Sequence, residues 1–218
     1  MEKVFLEELM ENILKSTKIP KVQVERIIGS ILSVFIADIV TEKFKNIKKY
    51  RGKYKLVLQE FPLKKGNNLQ STNIDYILYN KEKRIVVFLE LKTDSDSFEP
   101  EQLRIYSKYK TMTHEDRKKL FDENILDIRK KSNKKKKYDF ILQRLRNFKG
   151  LSNDDNKLII VYLAPEKARN KLRKEMDDLK ERRIDRFLSF NLLPDLIEHK
   201  YYNEWKVIKK YLSKLDKN

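Results

Sequence analysis

An α/β fold, with a central mixed sheet flanked by helices, is predicted by three features of this 218-residue chain. Val24, Ile28, Ile31, Phe35 and Ile39 recur at three- and four-residue steps, which makes one apolar helical face. Residues 53–92 hold three strand-like runs separated by turn residues. The run KLIIVYL at 157–163 is continuously apolar, as in a strand covered on both faces of a sheet.

In chain order, 1–16 and about 21–48 read as helices. Residues 53–63 alternate, with Tyr54, Leu56 and Leu58 on one side and Lys55, Val57 and Gln59 on the other. Residues 64–68 (KKGNN) form a turn. Residues 72–79 and 84–92 then pair as a hairpin. Pro100 opens a helix reaching about Lys110, since a missing N–H costs little in the first helical turn. Residues 111–155 are mostly charged and helical, with Phe140, Ile141, Leu145 and Phe148 as the packing stripe. After 157–163, Pro165 ends the strand and a charged helix covers about 166–182. A short strand at 187–192 precedes a closing helix at 194–215, broken near Tyr201. The chain thus reads as one domain, 1–218, with a helical part at 1–50, an α/β core at 51–193 and a C-terminal helix at 194–218.

Composition narrows the chemistry. Fifty Lys and Arg against 33 Asp and Glu give a formal charge of +17. Such a field favours polyanions, nucleic acid foremost, although a lysine-rich proteome would produce the same excess. The absence of cysteine excludes disulfides, cysteine-ligated zinc, iron–sulfur clusters and thiol catalysis. Four glycines form no phosphate-cradling motif. The longest apolar stretch, 27–40, contains Gly29, Ser30, Ser33 and Asp38, so no membrane span is expected. The first residues are acidic and amphipathic with no cleavage site, and a cytoplasmic protein is expected. His114 and His199 lack partners at ligand spacing and read as surface residues. The apolar clusters near Ile27 and Leu212 read as core or as a face for a homo-oligomer.

The segment 73–106 carries the functional signal. Glu-x-Lys occurs three times, at Glu90, Glu198 and Glu204, but only the first copy ends an apolar strand. A hairpin loop at 81–82 or 80–83 puts Asp75 opposite Phe88 and Asn73 opposite Glu90. Asp75, Glu90 and Lys92 then share a face, with Asp75 and Glu90 diagonal neighbours about 7–8 Å apart. Two carboxylates and a lysine there can hold a divalent ion and activate water. A salt bridge or solvated strand end fits the hairpin alone equally well. Gln102 and Tyr106 lie one turn apart on the next helix and share a face.

Asp75, Glu90-Leu91-Lys92 and Gln102-x-x-x-Tyr106 together resemble the PD-(D/E)xK nuclease superfamily, the restriction-endonuclease-like fold. QLRIYSKY looks like the Gln-x-x-x-Tyr element of some of its branches. VERIIGSIL, LIIVYLAP and FLSFNLLPDLI extend the likeness over about 22–200. No proline precedes Asp75; Ile74 occupies that place. The resemblance implies an αβββαβ core and hydrolysis of phosphodiester bonds dependent on Mg²⁺ or Mn²⁺, with DNA expected ahead of RNA. It implies Asp75, Glu90 and the Leu91 carbonyl as metal ligands and Lys92 near the attacking water. Gln102 and Tyr106 would support the site or contact nucleic acid, and Glu60 and Glu25 would be further carboxylates of it. The other expectation is a catalytically silent nucleic-acid-binding or assembly module. No membrane partner is expected; binding to anionic membrane, which rests on charge alone, is a third and weaker expectation. The basic run RKKSNKKKK at 129–137 reads as a solvated loop or a backbone clamp.

Overall fold

In the computed structural model, residues 5–16, 24–64, 71–94, 98–147, 156–178 and 184–216 are described. Helices α1 (Phe5–Ser16), α2 (Val24–Leu32) and α3 (Ile36–Phe44) precede three strands, β1 (Tyr54–Lys64), β2 (Ser71–Asn80) and β3 (Ile85–Leu91). Helices α4 (Pro100–Thr111), α5 (His114–Lys131) and α6 (Lys135–Asn147) lead to β4 (Lys157–Ala164). Helix α7 (Glu166–Asp178), β5 (Arg186–Ser189) and α8 (Tyr202–Leu215) complete the order.

The strands form one mixed sheet in sequence order. β1, β2 and β3 are antiparallel, whereas β4 and β5 run parallel to β3. β3 is buried at every position and β4 at all but Lys157, as continuous apolar runs require. One face carries α1, α2, α3 and α8 through residues such as Ile28, Ile39, Trp205 and Leu212 against Leu78, Val87 and Val161. The other face carries Leu103, Tyr106, Ile125 and Ile141 against Ile77, Phe88 and Ile160. Leu212 is therefore core, while Ile27 is 42% exposed. Among the described residues, no helix is long and apolar enough to cross a membrane.

Several expectations change in detail. The helix expected over 21–48 turns at 33–35, where Ser33 Oγ donates to the Ser30 carbonyl and the backbone tightens from Val34 to Ile31 and Phe35 to Leu32. Phe35 and Ile39 remain buried beside Ile28, so the predicted face survives the break. The alternation in β1 is interrupted by a bulge at Val57. Tyr54 and Leu56 pack with the first cluster, Val57 and Leu58 with the second. The strand expected at 187–192 ends at Ser189, because Ser189 Oγ and Asp216 Oδ2 accept the Asn191 N–H and bend the chain into a 3-10 turn, Phe190–Leu192. The last helix starts at Tyr202, not at 194; the preceding residues are pinned by Trp205 Nε1 donating to the Pro194 carbonyl at 3.0 Å.

On α6, Ile141 and Leu142 are buried, whereas Phe140 is 53% exposed and leaves the expected stripe. Phe148, residues 65–68 of the expected turn and 179–182 of the expected helix lie outside the described residues. His199 is not a surface residue: its side chain is 10% exposed, its ring lies 4.8 Å from Phe35, and Nδ1 accepts the Tyr201 N–H. The His114 side chain lies outside the described residues.

Candidate active site where two strands part

The ladder between β2 and β3 runs from Asn80 opposite Ile85 to Tyr76 opposite Leu89 and stops, although both strands continue. Backbone groups released from a ladder in the interior must find other partners. The Leu91 N–H donates to Asp75 Oδ2 at 2.7 Å. The Asn73 carbonyl accepts from Gln102 Nε2 at 3.1 Å and lies 2.7 Å from Tyr106 Oη. Side chains from β2 and α4 thus hold the two strands apart and satisfy what the parting exposes.

The hairpin register differs from the expected one by two residues. The turn occupies 81–84, and Ile77, not Asp75, faces Phe88. One further step of this register sets Asp75 level with Glu90, directly across and not diagonal. The loop keeps an even length, so the parity that brings these two carboxylates together holds.

Glu90 is 1% exposed. Its Oε1 lies 2.7 Å from Lys92 Nζ, and its Oε2 lies 2.7 Å from Tyr106 Oη. Gln102 Nε2 also donates to Tyr106 Oη at 2.9 Å. The tyrosine has one proton to give, so the two Gln102 amide protons serve the Asn73 carbonyl and the Tyr106 oxygen while Tyr106 donates to Glu90 Oε2. The four-residue spacing on α4 makes this possible, and the Tyr106 ring is fixed edge-on to Phe88 with centroids 5.9 Å apart.

Glu25 reaches the site from the first turn of α2, and the Thr93 N–H donates to it. Glu60 lies across from Asp75 on β1, in the left-handed region at φ 51°, and its Oε2 accepts from Asn73 Nδ2 at 2.9 Å. Glu25, Glu60 and Asp75 line a cleft of about 390 Å³ whose wall includes Gly29, Lys134 and Lys137. Glu90 and Lys92 do not line it; they are buried. All seven side chains named from the sequence therefore reach one locality, divided between an open carboxylate cleft and a closed Glu90–Lys92–Tyr106 cluster.

The electrostatics follow from that crowding. Burial raises the Asp75 carboxyl well above the usual carboxylate range, and the charges of Glu90 and Glu25 add to it, with the Leu91 N–H and Lys92 opposing. Burial lifts Glu90 to about 7 against the pull of Lys92 and Tyr106. Glu25 is raised for the same first reason. Burial would lower Lys92, but Glu90, Glu25 and Asp75 hold it protonated above its ordinary value. Three carboxyls shifted upward in this way therefore stand beside one ammonium, Lys92.

Among the described residues, no group of three or more His, Cys, Asp or Glu side chains is arranged to hold a metal ion. A magnesium-type ion needs only one or two carboxylates, with waters and phosphate oxygens completing its shell. Asp75, Glu90 and the Leu91 carbonyl are hard oxygen donors of that kind.

Sequence reasoning assigned no role to Asn73 or Gly29, and named Lys134 and Lys137 only within the basic run read as a solvated loop or a backbone clamp. Asn73 stands two residues before Asp75, a spacing that puts it on the same strand face, and the two lysines belong to the basic run. Gly29 carries no sequence signal. Its carbonyl accepts from Tyr76 Oη at 2.6 Å, which ties α2 to the sheet beside the cleft. Comparison with protein-family models, curated proteins and solved structures gives no match.

Proposed function

We propose that this protein is a metal-dependent nuclease that hydrolyses phosphodiester bonds, DNA ahead of RNA. The observation that carries the reading is the meeting of Asp75, Glu90 and Lys92 where β2 and β3 part, next to a carboxylate cleft walled by Lys134 and Lys137. The restriction-endonuclease-like character implied by the sequence is supported by three antiparallel strands followed by a parallel fourth.

Asp75, Glu90 and the Leu91 carbonyl would hold Mg²⁺ or Mn²⁺. When bound, the cation would neutralise charge on the phosphate and acidify the attacking water. Lys92, kept protonated by three carboxylates, stabilises negative charge building on the phosphate. Tyr106 and Gln102 orient Glu90 by fixing Oε2. Lys134 and Lys137 would draw the phosphate backbone towards the cleft.

A second reading, a catalytically silent binding module, is favoured by one feature: both Glu90 oxygens already have partners, in a side chain closed to solvent. Incubation of labelled DNA with the protein and Mn²⁺ separates the two. The nuclease reading expects cleavage that Asp75→Asn, Glu90→Gln and Lys92→Met each reduce about 100-fold or more, with binding retained. Wild-type protein that binds DNA without cleaving it removes the nuclease reading, and cleavage undiminished in Glu90→Gln removes this mechanism.

A further inference from the structure

A second groove, of about 470 Å³, opens beside the carboxylate cleft and shares Gln59, Glu60 and Lys137 with it. Its floor is the bulged stretch of the edge strand β1, Leu56 to Leu58, and its wall is α6. Two features of that wall are unusual for a helix packed on a core. Phe140 is left 53% exposed while its neighbours Ile141 and Leu142 are buried, and the Arg144 guanidinium sits 5.1 Å from the Phe140 ring centroid. An aromatic ring, an arginine and a lysine in a groove that continues into a phosphodiester site form a stacking platform with its backbone counter-charges.

We propose that this groove holds an unpaired strand of nucleic acid, with a base stacked against Phe140 and Arg144 and the adjoining phosphates on Lys137 and Lys134. The inference rests on the nuclease reading for what lies at the far end of the groove, and it specifies the substrate as one with single-stranded character. A duplex keeps its base faces stacked on one another, so it gains backbone contacts here but nothing from the ring. The apolar floor at Val57 and Leu58 fits the flat hydrophobic face of a base, while the charge of the wall fits phosphate. The protein's net charge of +17 favours the same ligand.

The test reads binding without chemistry. Fluorescence anisotropy in EDTA compares a labelled oligothymidylate with a blunt duplex of equal length, for wild type, Phe140→Ala and Lys137→Gln. Phe140→Ala is expected to weaken the single strand about tenfold and leave the duplex unchanged. Lys137→Gln is expected to weaken both and to flatten the salt dependence of binding. Phe140→Leu keeps an apolar side chain without a ring and should behave as Phe140→Ala does. Equal affinity of wild type and Phe140→Ala for the oligothymidylate, or an equal loss for the duplex, overturns the proposal. A parallel Mn²⁺ cleavage assay keeps the two readings apart: cleavage insensitive to Phe140 removes the groove alone. Phe140-dependent binding without cleavage removes the nuclease reading and leaves the groove standing.

Discussion

Lys92 Nζ lies 2.7 Å from Glu90 Oε1, two residues back on the same chain, and both side chains are almost wholly withdrawn from water. Removing either partner of such a pair strands a buried charge. Lys92→Met is expected to lower the unfolding free energy by about 3 kcal/mol near about pH 8, and by less near about pH 5, where Glu90 can take a proton. The double variant Glu90→Gln, Lys92→Met should recover most of that loss. Urea denaturation checks it, and equal losses in the single and double variants would show that the pair is not coupled.

The pH dependence has a definite sign. Glu90 titrates at about 7 in the fold against an ordinary 4.5 in the unfolded chain, so the folded state binds more protons between those values. Its contribution to stability is full below the lower value and disappears as pH rises through the upper one. Asp75 and Glu25 are shifted in the same direction. Lys92 is raised as well, and its contribution is lost only at strongly alkaline pH. Without metal, the stability of wild type relative to Glu90→Gln should therefore fall as pH increases from about 5 to 8. A relative stability that rises across this window contradicts the assignment.

Added Mn²⁺ should reverse that trend, since a cation binds the ionised carboxylates. At about one hundred times its dissociation constant it would add about 2.7 kcal/mol to wild type. Asp75→Asn should show no such gain in a thermal melt. An identical upshift in the variant would place the ion elsewhere.

Tyr106→Phe keeps the ring against Phe88 and removes only the hydroxyl that Glu90, Asn73 and Gln102 share. The expected cost is about 1–3 kcal/mol, because buried acceptors lose a donor. If the site cleaves DNA, kcat should fall more than KM rises, since the hydroxyl acts by orienting Glu90.

Gly29 sits inside α2, where glycine weakens a helix. A Cβ there would meet Tyr76 Oη at 3.4 Å and Leu91 Cδ2 at 3.6 Å, both ordinary contacts. Gly29→Ala should raise stability by about 0.5–1 kcal/mol in a urea melt. A loss instead would mean that α2 must approach the sheet more closely than these contacts indicate.

Much of the site was legible before the structure because its logic is periodic. Asp75 and Glu90 are brought level by strand parity, and Gln102 and Tyr106 by one helical turn. The register was not legible, because Asn80 looks like a turn residue yet ends β2, its Oδ1 accepting the Lys83 N–H. The turn instead closes on Arg84 at φ 52°, a position where glycine or asparagine would have signalled it. The exposure of Phe140 was equally hidden: a single-residue step on a helix, from Ile141 to Phe140, separates core from groove, and only the packing of α6 decides which. The burial of His199 depends on Phe35, more than 160 positions away in the sequence, which no local pattern encodes.

The bond from the Leu91 N–H to Asp75 Oδ2 replaces a carbonyl acceptor with a titratable one. The proton chemical shift of this single amide should therefore report the charge on Asp75. In an isotope-labelled sample it would follow acidification, cation uptake and phosphate arrival at the cleft, whether or not any bond is broken. The place where the sheet stops pairing thus supplies its own spectroscopic reporter of occupancy.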